Sequence, residues 1–304
     1  MQRAAAIVGF LGILLFGAYL VACWYLVRVM ISIDRKPAPL SPSELGFPNA
    51  EEFSFSTPDG VRLVGWFVPA EGDRVIVLVH GVYSNAWDGQ TPDVAHAYHD
   101  AGFNVFLFDS RGQGRSGGTL GLAWVERQDV RAAVDLLLAR GFRAGKVGVH
   151  GTSYGAATAL LAAAEIPEVG AVVADSAFAD VRDVMLGELT RRTGLSPRLA
   201  QLLAPGVGLV AQCRYGLDLD EASPERAIAA ISRPVFLIHG EQDHIIPVES
   251  LQRLRSAART STTVWVLPGC QHTEGVRLAP DYETPSPLRK EFLLKITTFF
   301  RRHL

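Results

Sequence analysis

Lys146-Val147-Gly148-Val149-His150-Gly151-Thr152-Ser153-Tyr154-Gly155 is the stretch that decides how this chain is read. Its first half is an apolar run of strand length, and the G-x-S-x-G pentapeptide comes where a strand gives way to a helix. At such a junction a sharp turn lifts the serine hydroxyl clear of the backbone. The flanking glycines have a steric reason, because the turn brings neighbouring backbone too close for a Cβ. The next helix aims its free N–H groups and positive dipole end at any negative charge forming beside Ser153. A chain with 29 glycines can also produce this pattern as a mere turn with a helix-capping serine, so its meaning depends on the residues downstream.

A serine becomes a nucleophile when a base takes its proton and a third group orients that base. After an elbow of this kind the acid comes next in the chain and the histidine last. Pro234-Val235-Phe236-Leu237-Ile238-His239-Gly240 is followed by Glu241-Gln242-Asp243, and Thr263-Val264-Trp265-Val266-Leu267 by Pro268-Gly269-Cys270-Gln271-His272. Asp243 and His272 thus fall on loops after consecutive strands, at the carboxyl ends of a parallel sheet where ligands collect. Asp175, after another strand, is the alternative acid. His80, His150 and His239 end strands and are expected to make structural hydrogen bonds, and His244 to serve its loop. Cys270, two residues from His272, is read as a bystander.

With these residues in view the chain resembles the α/β-hydrolase family over roughly residues 50–303. Val75-Ile76-Val77-Leu78-Val79-His80-Gly81 is similar to the family's strand and His-Gly turn, and Asp109-Ser110-Arg111-Gly112-Gln113-Gly114-Arg115-Ser116-Gly117-Gly118 to its D-x-R-G-x-G-x-S-x-G loop. The resemblance implies a Ser153–His272–Asp243 triad and an oxyanion hole of the Val82 and Tyr154 backbone N–H groups, with Tyr83 the alternative to Val82. The subgroup most resembled is a membrane-anchored, lysophospholipase-like or serine-aminopeptidase-like bacterial hydrolase. Asp109 and Arg111 are expected to brace their own glycine-rich loop. That loop lacks the Lys-Ser/Thr of a P-loop and the spacing of a dinucleotide fingerprint, so no nucleotide is implied.

Along the chain, alternating residues at 52–57, Pro58-Asp59-Gly60 and a second run at 61–68 predict an opening antiparallel hairpin. Strands at 74–79, 103–108, 146–150, 169–174, 234–239 and 262–267 alternate with helices near 88–101, 124–140, 154–164, 248–259 and 287–303. That rhythm predicts an α/β fold, a mostly parallel twisted sheet with helices on both faces. Residues 179–231 join two strands with far more chain than one helix and its loops need, and so read as a helical cap insertion. Within it, residues 202–210 are apolar enough to line an acyl pocket, touch a bilayer or pack the cap onto the core.

Residues 4–27 contain no charge, and 24 helical residues reach ~36 Å at ~1.5 Å each, enough for a bilayer core. Tyr19, Trp24, Tyr25 and Arg28 at its end suit a membrane interface. The expectation is an uncleaved single-span anchor over residues 1–35, then a proline-rich semi-extended spacer at 36–49, then a catalytic domain over 50–304. Two rivals are a secretion signal and a lipobox at Leu20-Val21-Ala22-Cys23 that lipidates Cys23. Arg28, Arg35 and Lys36 against Arg3 and the amino terminus lean the domain toward the cytoplasm. Because every catalytic motif lies beyond residue 75, the first 35 residues are expected to be dispensable for short-ester hydrolysis.

Basic and acidic residues number 29 and 31 and are scattered, which excludes a nucleic-acid footprint. Three cysteines with no metal spacing imply neither a disulfide framework nor a zinc site. The reading is a serine hydrolase of a small-molecule or lipid ester, with no cofactor, metal or protein partner implied. A peptidase or thioesterase on the same fold is the alternative, and a nonenzymatic membrane protein is the reading from another class.

Overall fold

In a computed structural model, which describes residues 2–279 and 282–304, the chain opens with one long helix, α1 (Gln2–Ile31). Strands β1 (Glu51–Ser56) and β2 (Arg62–Val68) then form the expected hairpin, Glu51 facing Phe67 and Ser56 facing Arg62. Strand and helix alternate thereafter through β3 (Val75–Val79), α2 (Thr91–Asp100), β4 (Asn104–Asp109), α3 (Arg127–Ala139), β5 (Val147–Thr152), α4 (Tyr154–Glu165) and β6 (Val169–Asp175). The long connection comes next as α5 (Val181–Thr193), α6 (Pro197–Tyr215) and the short α7 (Pro224–Ile228). The chain returns as β7 (Val235–Gly240), α8 (Glu249–Ala257), β8 (Thr262–Leu267) and α9 (Arg289–His303).

Among the described residues the strands form one eight-stranded sheet in the order β1-β2-β4-β3-β5-β6-β7-β8. Pairing is parallel from β4 to β8 and antiparallel on both sides of β2. The central strands are apolar throughout because both faces are covered. Val130, Val134 and Leu137 of α3, Leu160 of α4 and Leu254 of α8 pack on one face; Tyr98 of α2 and Phe292, Ile296 and Phe300 of α9 pack on the other. The carboxyl ends of β3, β5, β6, β7 and β8 therefore open along one edge, the edge from which the α5–α6 connection leaves β6.

Two contacts at the front of the chain bear on the expected boundaries. Helix α1 is long and apolar enough to cross a membrane, but only its first part stands clear of the protein. From Tyr19 onward it packs into a third apolar cluster, where Cys23, Leu26, Val27, Met30 and Ile31 meet Met185 and Leu189 of α5 and Ala200, Val207 and Ala211 of α6. The second half of α1 thus packs with the domain, while residues 5–18 stand clear of it. The proline-rich stretch is no free spacer either, for Phe47 is buried and stacks on His96 with ring centroids 4.0 Å apart. Nearby, Asn85 donates to the Lys36 carbonyl and Arg35 to that of Gly118. A proline-rich run has no ladder of its own, so its apolar side chains settle into whatever groove the folded domain offers.

Candidate active site

The turn after β5 holds Ser153 at φ 56° and ψ −120°, a left-handed conformation uncommon for a residue with a Cβ. Strain of this kind persists only where the surroundings over-determine it. Here the Ser153 N–H donates to the Asp175 carbonyl at 2.7 Å, and α4 begins at the next residue. A Cβ on Gly151 would meet the Gly155 carbonyl oxygen at 2.1 Å, and one on Gly155 the Val79 carbonyl oxygen at 2.1 Å. Both glycines are required by close approach, as the pentapeptide suggested.

The structure brings the three chemically matched residues into one line. His272 Nε2 lies 2.8 Å from Ser153 Oγ, and His272 Nδ1 lies 2.6 Å from Asp243 Oδ2. With Nδ1–H donating to the carboxylate, Nε2 is free to accept the serine proton. The second Asp243 oxygen accepts from the backbone N–H groups of Ile245 at 2.9 Å and Ile246 at 2.8 Å. The Asp243 side chain is fully shielded, so its charge acts on the imidazole through little intervening water.

Val82 lies in the turn after β3, half-buried, and Gly81 before it approaches Ser153 so closely that a Cβ there would sit 3.5 Å from the serine Cβ. Tyr154, as the first residue of α4, carries an N–H with no partner inside the helix. Tyr83 is held at φ 63° and donates its hydroxyl to Glu188 of α5. The guanidinium groups of Arg191 and Arg192 lie 5.3 and 5.8 Å from its ring centroid.

Asp175 is buried directly beneath the nucleophile, but its carboxylate faces Ser176 Oγ at 3.1 Å and Gln90 Nε2 at 3.2 Å rather than the His272 ring. Burial pushes its carboxyl up to about 6. His80 bonds the Gly81 carbonyl and accepts from the Ser110 N–H. His150 bonds the Tyr98 hydroxyl, and burial depresses its pKa to about 3. His239 bonds the Ile246 carbonyl at 2.7 Å and stands 3.5 Å from Asp243, so it buttresses the acid loop. Asp109 accepts from the N–H groups of Ala86 and Arg115, and Arg111 pairs with Asp59 and Asp129. Cys270 is buried against the Glu274 carbonyl. His80, His150, His239 and Asp109 make structural hydrogen bonds as read from the sequence, whereas Arg111 pairs outside its own loop, with Asp59 of the hairpin turn and Asp129 of α3.

One participant near the site was missed. Glu126, which precedes α3, is fully buried and accepts from the Tyr154 hydroxyl at 2.8 Å and the Gly121 N–H at 2.7 Å, while its other oxygen has no partner among the described residues. Desolvation, aided by the nearby Asp129 charge, pushes its carboxyl up to about 7. Nothing in Trp124-Val125-Glu126-Arg127 distinguishes this glutamate from an exposed one at a helix start; the available signal was a tyrosine beside the serine that needs a buried partner.

The sequence model of the X-Pro dipeptidyl-peptidase (S15) family matches residues 59–204. The Bacillus subtilis (strain 168) protein YqkD is 32% identical over 233 residues, 74% of each chain. A monoacylglycerol lipase of Mycolicibacterium smegmatis is 26% identical over 255 residues, 73% of this chain and 89% of the lipase. Among solved structures, an esterase of Pyrococcus furiosus superposes with a TM-score of 0.71 at 24% identity, over 90% of this chain and 98% of the esterase, a likeness of fold. With an eight-stranded sheet of this order and a strained serine at the end of its central strand, the chain belongs to the α/β-hydrolase family, in its serine-hydrolase branch.

Proposed function

We propose that the protein cleaves carboxylic esters with an acyl or lipid-like portion through an acyl-enzyme, using Ser153, His272 and Asp243. The observation that carries this is the unbroken line from Ser153 Oγ to His272 at 2.8 Å and on to Asp243 at 2.6 Å. Ser153 Oγ adds to the ester carbonyl while its proton passes to His272 Nε2. Asp243 holds the ring's tautomer and offsets the imidazolium charge. The oxyanion is received by the backbone N–H groups of Val82 and Tyr154, each such donor being worth ~3–4 kcal/mol in the transition state. The imidazolium then protonates the leaving alkoxide. Water, deprotonated by the same nitrogen, releases the acid and restores Ser153.

Residues 1–35 anchor the chain in a membrane as an uncleaved single span whose second half also packs on the cap, residues 36–49 lie along the domain as they connect to it, and residues 50–304 form the catalytic domain with a cap over about 179–231. The charge asymmetry around α1 favours a cytoplasmic domain. A helix continuous through Cys23, whose thiol is buried against the Leu203 carbonyl, favours the span over lipidation at that residue.

The S15 match favours a second reading, a peptidase. Recognising a peptide's amino terminus takes an unpaired carboxylate near the nucleophile, whereas Glu188, on the cap helix beside Tyr83, is already engaged by Tyr83 and Arg191. A fluorophosphonate probe is expected to label the wild type and not Ser153→Ala, and p-nitrophenyl butyrate is expected to be a better substrate than Ala-Pro-p-nitroanilide. Equal labelling of the two proteins would remove Ser153 from the reading. A faster anilide reaction would replace esterase with peptidase.

A further inference from the structure

The exposed part of α1 is too short for the task its composition suggests. Residues 5–18 are exposed on every side, whereas from Tyr19 the helix is packed against α6. Those 14 residues reach ~21 Å at ~1.5 Å per residue, against a hydrocarbon core of ~30 Å. The missing ~9 Å corresponds to ~6 more residues, which extends the span to about Trp24. Tilting the helix only lengthens the requirement. The outward side of that additional stretch stays apolar, with Val21, Trp24 and Tyr25 exposed, and Arg28 then closes it with its guanidinium 5.4 Å from the Trp24 ring.

Beside this stretch packs the middle of α6. Pro205 interrupts that helix by supplying no N–H and by crowding the preceding turn. The Tyr19 hydroxyl bridges the break, accepting from the Gly206 N–H at 3.0 Å and lying 3.4 Å from the Leu202 carbonyl it donates to. Gly206 is required there, since a Cβ would lie 2.5 Å from the Tyr19 ring and 2.6 Å from the Cys23 sulfur. Any membrane that reaches Trp24 on α1 therefore also reaches Leu202 and its neighbours on α6.

We propose that α6 is a second membrane contact, lying in the lipid beside α1 and sinking the cap into the bilayer. The proposal rests on α1 being a span. Three kinds of side chain divide the surface of α6. Ala200, Val207 and Ala211 face the protein; Gln201, Ala204, Pro205, Gly208, Leu209 and Gln212 line a cavity of about 460 Å³ shared with α5. On the remaining surface Leu199 and Leu202, three residues apart, are 41% and 69% exposed, and Leu209, on the wall of that cavity, is 52% exposed. The helix contains no acidic residue, and Arg198 and Arg214 stand exposed near its two ends. An apolar stripe between terminal arginines is the pattern of a helix lying at a bilayer surface, leucines in the acyl region and guanidinium groups among the phosphates. In this position the cap overhanging Ser153 is in contact with lipid, so the acyl substrate is drawn from the bilayer.

Depth-dependent quenching tests this in full-length protein reconstituted into phosphatidylcholine vesicles. In a Cys213→Ser background, an environment-sensitive fluorophore is attached at Leu202→Cys, at Ile13→Cys on the exposed part of α1, and at Asp73→Cys on the domain surface away from α6. Lipids brominated on their acyl chains are expected to quench the Ile13 and Leu202 labels at least about twofold and to leave the Asp73 label bright. Leu199→Cys provides a second reporter on the same stripe should the Leu202 variant misfold. Quenching at position 13 with none at 202 and 199 overturns the proposal while α1 stands as a span. A stripe shielded from water yet unquenched identifies a second copy of the chain as its occupant and also overturns it. An unquenched position 13 removes the span and the proposal together.

Discussion

At the scale of single residues, the half-buried elbow serine is small and contributes little packing, so the proposed role can be tested by removing its hydroxyl. Ser153→Ala is expected to abolish p-nitrophenyl ester turnover while leaving the thermal midpoint within a few degrees; an esterase-free preparation retaining more than a few per cent of wild-type rate would exclude it as nucleophile. Asp243→Asn removes the acceptor that fixes the His272 tautomer, and kcat is expected to fall about 10⁴-fold. Asp175→Asn alters only the bonds to Ser176 and Gln90, and its effect is expected to stay within about tenfold. Reversal of that ranking in single-turnover assays would move the acid role to Asp175. These candidates were legible because each chemistry-bearing side chain comes after an apolar run and a glycine or proline, local signals that survive in one dimension. The support behind them was not: Gln90, Ser176 and Glu126 approach the site from separate loops and carry no mark in the sequence of being buried.

At the scale of elements, strands and helices keep the predicted rhythm because β-branched runs between glycine loops have few other ways to satisfy their backbone. The loop joining β4 to α3 is where sequence reasoning ran short. Leu122 and Ala123 both take positive φ there, the Ala123 N–H donates to the Tyr154 hydroxyl at 2.5 Å, and Glu126 is sealed behind them. Glu126 titrates near 7 when folded, against an ordinary 4.5, so its proton is held more tightly in the native state. The stability this contributes is complete below about pH 4.5 and disappears as pH rises through 7. Asp129 and Asp175, both pushed up to about 6, act in the same direction, and His150, depressed to about 3, in the opposite one below its ordinary 6.5. Glu126→Gln isolates one group. It is expected to raise the unfolding free energy over wild type at pH 8 by up to about 3 kcal/mol and to leave pH 4.5 little changed. A pH-independent difference in denaturant titrations would refute the assignment.

At the scale of the whole molecule, an all-round apolar helix reads the same whether lipid or protein surrounds it, so the sequence could not reveal that the second half of α1 packs on the cap. The consequence is a corrected expectation for truncation. Cys23, Leu26, Val27, Met30 and Ile31 are buried, and an apolar side chain of this size contributes about 1.5–3 kcal/mol on burial, against a net domain stability of ~5–15 kcal/mol. Deleting residues 1–35 is expected to yield aggregated or protease-sensitive protein, whereas deleting residues 2–18 keeps the packed half and short-ester activity. Size-exclusion chromatography with a p-nitrophenyl acetate assay separates the two outcomes. The same packing sets an order of events during synthesis. Arg192 of α5 donates to the Met30 carbonyl at 3.1 Å and the Ser32 carbonyl at 2.6 Å, binding the last turn of α1 to a residue 162 positions later in the chain. At ~5–20 residues per second the ribosome takes roughly 10–30 s to deliver that arginine after α1 has emerged. Through that interval the helix has only lipid or a chaperone for company, and the hydrolase can be finished only where its first thirty residues already wait.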